Sequence, residues 1–211
     1  MSKHEGSPGT RIIRAALIAL TGLGIGMAMP AQAQFSDGFK FLEAVRKKEG
    51  EKVESALSTP GATIINTRDV TSGETALHIV TARRDLTWLQ FLTSRGANVN
   101  ARDGQGRTPL QLATNLGWKD GVAVLVDRRA NTEVANDAGE TPLIAAVHRK
   151  DLELTKLLLR AGADPARADN SGRSARDYAQ LDQSSAILNA IKTETKPDAG
   201  KANKPTYGPV F

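Results

Sequence analysis

The sequence predicts an all-α repeat solenoid, a stack of about five helix-turn-helix units joined by β-hairpin loops. Three observations predict it. A threonine-led turn recurs every 33 residues, at Gly73-Glu74-Thr75-Ala76-Leu77, Gly106-Arg107-Thr108-Pro109-Leu110 and Gly139-Glu140-Thr141-Pro142-Leu143, with a worn copy at Gly172-Arg173-Ser174-Ala175. Each turn is followed by two short apolar stripes with the three-and-four spacing of helices. The second stripe closes on a Gly-Ala pair or its relic, at Gly96-Ala97-Asn98, Ala130-Asn131 and Gly162-Ala163-Asp164. A fixed period of this length marks stacked units that bury their faces against one another.

From the N-terminus, residues 1–33 read as a cleaved signal peptide. Lys3, Arg11 and Arg14 form a basic leader, an apolar run extends from Ala15 to Met29, and Pro30 precedes Ala31-Gln32-Ala33. The run is shorter than the roughly 20 residues that span a bilayer, so no stable membrane insertion is expected after cleavage. Loss of Lys3, Arg11, Arg14 and Glu5 lowers the formal charge from +5 to +3. That mild basicity, with signs alternating as in Arg83-Arg84-Asp85, argues against a nucleic-acid partner.

The repeat domain is expected over residues 34–192, in units at about 36–69, 70–102, 103–135, 136–168 and 169–192. In the first unit, Phe39, Phe41, Leu42, Ala44 and Val45 suggest one helix, and Val53, Ala56 and Leu57 a second, with Gly61-Ala62 as the closing motif. The third unit shows the plan most fully. Asp103-Gly104-Gln105-Gly106 is a turn in which the aspartate bonds its own backbone. Thr108 then caps a helix with Pro109 at its first position, where a missing amide hydrogen costs nothing. Leu110, Leu112 and Ala113 face inward, Gly117 ends the helix in a left-handed conformation, and Val122, Leu125 and Val126 make the second stripe. In the last unit, Ala175, Tyr178 and Ala179 precede Ala186, Ile187, Leu188 and Ile191. Residues 193–211 are too polar and proline-rich to fold alone and are expected to form a disordered tail.

Gly-x-Thr-(Pro/Ala)-Leu opening each helix pair, and Gly96-Ala97-Asn98-Val99-Asn100-Ala101-Arg102-Asp103 closing one, resemble the ankyrin repeat. Thr75-Ala76-Leu77-His78 is close to that family's Thr-Pro-Leu-His signature, and the next two copies lack the histidine. The resemblance, with the leader, implies an exported bacterial ankyrin-repeat protein. The function it implies is a noncatalytic protein–protein interaction module in the bacterial cell envelope, periplasmic, monomeric and without cofactors. Secretion, or anchoring by an uncleaved leader, is the alternative location. An enzyme or cofactor carrier, and the C-terminal tail as a linear docking motif, are the alternative functions.

Catalytic, cofactor and metal residues are not expected. Cysteine is absent, only His78 and His148 follow the leader, and the serines fall in turns or caps without a nucleophile elbow. The resemblance assigns His78 to the histidine that ties one hairpin to the next, and His148 is expected at a solvated helix end. Trp88 falls on an apolar stripe; Trp118, after Gly117, suggests a half-exposed anchor for a partner.

In the family, partners meet hairpin tips and the exposed edges of first helices. Carried over by position, this gives Thr71, Ser72, Glu74, Ala82 and Arg83, then Arg102, Gln105, Arg107, Asn115 and Leu116, then Asp137, Glu140, His148 and Arg149, and finally Asn170 and Arg173. Its five arginines outnumber its three acids and suggest a protein partner with an acidic patch. Arg83, Arg107 and Arg149 are expected to be dispensable for folding.

Overall fold

The structure, a computed structural model, describes residues 36–58 and 64–194. The expected signal peptide, the Gly61-Ala62 closing motif and the tail from residue 195 lie outside the described residues. Among the described residues ten helices form the array: α1 (Ser36–Lys47), α2 (Gly50–Leu57), α3 (Ala76–Ala82), α4 (Leu86–Ser94), α5 (Pro109–Asn115), α6 (Lys119–Asp127), α7 (Pro142–His148), α8 (Leu152–Arg160), α9 (Ala175–Leu181) and α10 (Ser185–Glu194). A short 3-10 turn covers Ile64–Asn66. The last helix runs past residue 192 to Glu194, whose carboxylate takes two bonds from Arg160 at 2.9 and 2.7 Å.

Odd-numbered helices pack side by side in one layer, and from α4 onward even-numbered helices pack in a second. The loops between units project from the first layer as tight reversals. Among the described residues they carry isolated antiparallel bridges, Arg68 with Thr75 and Ala168 with Ser174.

Local chemistry sets each boundary. Thr108, Thr141 and Ser174 accept the third helical N–H of α5, α7 and α9 at 3.3 Å, and Pro109 and Pro142 open the first two of these. Asp85 and Asp151 cap α4 and α8 by accepting from Trp88 N–H and Leu154 N–H. The reversal between paired helices needs a left-handed residue in every unit, filled by Lys48, Arg84, Gly117, Lys150 and Gln183 with φ between 51° and 66°. Gly117 alone among them escapes the Cβ penalty.

Leu77, Leu110 and Leu143 are no more than 1% exposed, and Leu89, Leu92, Val122, Leu125, Leu154 and Leu158 are fully buried. This continuous aliphatic seam holds the stack. Leu112 is only partly covered. Trp118 differs from its expected half exposure, being 8% exposed and part of the core. Its indole lies across Gly121, where a Cβ would collide with the ring, so the missing side chain lets it fold inward.

Candidate partner-binding face

The hairpin tips are built by one repeated device. Asp69, Asp103, Asn136 and Asp169 each turn a side-chain oxygen back onto two N–H groups of their own loop. These bonds fix the tips without help from a partner. Asp69 is held down to about 2 by the Ser72 amide and the Arg46 guanidinium at 2.7 Å. Asp169 is held lower still by the Tyr178 hydroxyl and Ser171. Burial pushes Asp103 up, but Arg107 at 2.7 Å and the loop amides outweigh it and leave a low pKa.

His78 occupies the tying position that the resemblance assigns to it. Its Nδ1 lies 3.2 Å from the Thr75 N–H, which donates to it, and its Nε2 lies 2.9 Å from the Arg107 carbonyl in the next unit. The two partners fix the tautomer, with the proton on Nε2. Burial lowers its pKa and keeps the ring neutral.

The expected contact residues divide into two groups. Thr71, Gln105, Asn115, Asp137 and Arg173 are exposed, and their side chains make no hydrogen bond or ion pair among the described residues. Ala82 is exposed, and Ser72 is half-buried in a bond to Glu74. Arg102 donates to the Gly106 carbonyl, Asn170 to the Asp137 carbonyl, and Leu116 is half-buried. Glu140 accepts from Asn136 and faces His148 Nδ1 at 3.0 Å; the His148 ring stands edge-on to Tyr178 at 4.3 Å.

Three arginines do structural work, which corrects the expectation that they are dispensable for folding. Arg83 Nη1 donates to the Val45 carbonyl at the end of α1, its guanidinium lies 5.5 Å over Trp88, and its Nε faces Asp85 at 3.3 Å without hydrogen-bond alignment. Arg107 is bound to Asp103. Arg149 lies over Gly117, which lacks a Cβ to obstruct it, and donates to the Asn115 carbonyl at 2.9 Å. Arg84, overlooked by the sequence reading, donates to the neighbouring Leu116 carbonyl at 2.6 Å. The end of α5 is thus capped by cations from both adjoining units, a favourable placement at the negative end of a helix.

A shallow cavity of about 320 Å³ lies between the third and fourth units. Gln105, Arg107, Asn115, Asp137 and Glu140 from the expected set line it, joined by Gln111, Asn136, Ala138, Thr141, Pro142 and Ala145. Gln111 and Asn136 were legible in principle, since they stand one period from His78 and Asp103. Among the described residues no cluster of three or more His, Cys, Asp or Glu could hold a metal, and no helix is long and apolar enough to cross a membrane.

Comparison with known proteins accords with this geometry. Three ankyrin repeats are matched over residues 41–137 and a further ankyrin repeat over residues 138–170. The chain belongs to the ankyrin-repeat family. A mouse relative, a B-cell lymphoma 3 protein homolog, is 34% identical over 108 residues, covering 49% of this chain and 24% of the relative. The ANK repeat-containing protein nipk-1 of Caenorhabditis elegans is 30% identical over 142 residues, 60% of this chain and 23% of that one. Mouse protein phosphatase 1 regulatory subunit 12A is 34% identical over 103 residues, 47% of this chain and 10% of its own. The ankyrin-repeat chain therefore spans less than a quarter of the length of these relatives.

Proposed function

We propose that this ankyrin-repeat protein is a noncatalytic, monomeric protein-binding module of the bacterial cell envelope, exported by residues 1–33 and engaging its partner through hairpin tips and first helices. The observation that carries this reading is the division of that face. Thr71, Gln105, Asn115, Asp137 and Arg173 are exposed with uncommitted side chains, while the leucines beneath them are sealed in the core. Such residues contribute little to the frame and are free to contact another protein. An acidic patch on the partner is supported near Arg173; toward the central cavity the exposed charge is Asp137.

The combined variant Thr71→Glu, Asn115→Glu and Arg173→Glu tests the reading. Exposed, unbonded positions change stability by at most about 0.5 kcal/mol each, so the melt is expected within a few degrees of wild type. Capture of the native partner from the exported compartment is expected to fail. Undiminished capture by a normally folded variant contradicts the face assignment.

A further inference from the structure

Adjacent hairpin tips are joined by main-chain rungs at one register. Gly104 N–H donates to the Ser72 carbonyl at 2.8 Å, joining the second unit to the third. Asn170 N–H donates to the Ala138 carbonyl at 3.1 Å, joining the fourth to the fifth, and Asn170 Nδ2 reinforces it through the Asp137 carbonyl at 2.8 Å. The corresponding rung between the third and fourth units would run from Asp137 N–H to the Gln105 carbonyl. It is not formed, and neither group has another hydrogen bond among the described residues.

The glycines record the same opening independently. A Cβ on Gly73 would lie 2.5 Å from Gly104 N, and one on Gly139 would lie 2.6 Å from Asn170 N. A Cβ on Gly106, in the same conformation, would meet nothing closer than 3.8 Å. The tips are therefore zipped in two pairs and parted in the middle, at the cavity of about 320 Å³.

We infer that the parted tips receive an extended peptide segment of the partner, whose main-chain N–H donates to the Gln105 carbonyl and whose carbonyl accepts from Asp137 N–H. This rests on the protein-binding reading above and makes it specific. An exposed donor and acceptor on facing loops suit main-chain pairing with an added strand. Charge selects the side chain beside them. Arg107 is neutralised by Asp103 and Arg102 is turned to the Gly106 carbonyl, whereas among the described residues the Asp137 carboxylate has no cationic partner within ion-pair distance. Glu140 adds a second carboxylate, shared with Asn136 and His148. The segment accordingly carries a lysine or arginine next to the paired amide.

The test uses two blocked pentapeptides, one alternating alanine and lysine and one alternating alanine and glutamate, titrated into 15N-labelled protein. At about 10 mM peptide a complex with Kd on the order of 1 mM is nearly saturated. The lysine peptide is expected to shift the Asp137 amide saturably, and the glutamate peptide to leave it in place. Gly139 N–H bonds the Asn136 carbonyl, so Asp137 stands second in a four-residue turn, where proline is favoured. Asp137→Pro removes the donor and should weaken binding at least about tenfold, while Asp137→Asn keeps the donor and should weaken it only a few-fold. An unmoved Asp137 amide, or full binding by a folded Asp137→Pro, overturns the inference. If shifts then fall instead at Thr71 or Arg173, the wider face reading survives and the open rung does not. Shifts confined to the outer helices α4, α6 and α8 overturn both.

Discussion

At the scale of single residues, His78 shows how much the array asks of one side chain. It bonds its own unit's cap and the next unit's hairpin, and the first of these, accepted at Nδ1 from Thr75 N–H, requires a neutral ring. One period later Gln111 performs the first task with an amide, accepting from Thr108 N–H at 2.9 Å, and it donates to the Val134 carbonyl at 3.1 Å at the end of its own unit. Because burial lowers the His78 pKa, the unfolded chain takes up a proton that the fold resists. Stability from this site is full above about pH 6.5 and is lost as pH falls below it. The carboxylates Asp69, Asp103 and Asp169, all lowered, give up their contribution only below about pH 4. His78→Gln should therefore remain within about 1 kcal/mol of wild type at pH 8 and show less loss of melting temperature between roughly pH 7 and 5. His78→Ala should cost about 1 to 3 kcal/mol at pH 8, since it strands the buried Thr75 N–H. A wild-type melt that does not vary over that range contradicts the assignment.

At the scale of elements, the asymmetry of the hairpin tips is measurable without any partner. Gly106 and Gly139 have matching left-handed φ values of 74° and 77°, so alanine carries the same backbone strain at either. Only Gly139 abuts the next tip. Gly139→Ala should therefore destabilise by about 1 to 3 kcal/mol more than Gly106→Ala in denaturant unfolding. Equal costs contradict the parted geometry. The helices themselves were readable from the chain, because the Thr108 cap and the prolines after Thr108 and Thr141 are short-range signals. The parting was not, because Gly73, Gly106 and Gly139 share the same Gly-x-Thr turn and the distance to the following tip lies outside that motif. The reach of Arg83, Arg84 and Arg149 was similarly hidden. Their acceptors lie 32 to 38 residues away in sequence, and a long side chain at a helix end looks solvated until the neighbouring helix is placed beside it. Trp118 was misjudged for a related reason: the space that draws it inward is the missing side chain of Gly121.

For the whole molecule, the 33-residue period determines which surfaces are available for recognition. The aliphatic seam from Leu77 through Leu143 supplies the stack, the arginines and loop aspartates fix neighbouring units in register, and a polar face of uncommitted side chains remains. That face is what the account holds to be functional. Site-directed photocrosslinking measures this most directly, with a photoreactive residue at Asn115 on the first-helix face and another at Gln90, exposed on α4. In the exported compartment the Asn115 probe should join the protein to one partner, and the Gln90 probe should not. Crosslinks to the same partner from Gln90 alone would contradict the claim that the hairpin and first-helix face is where this ankyrin-repeat array binds.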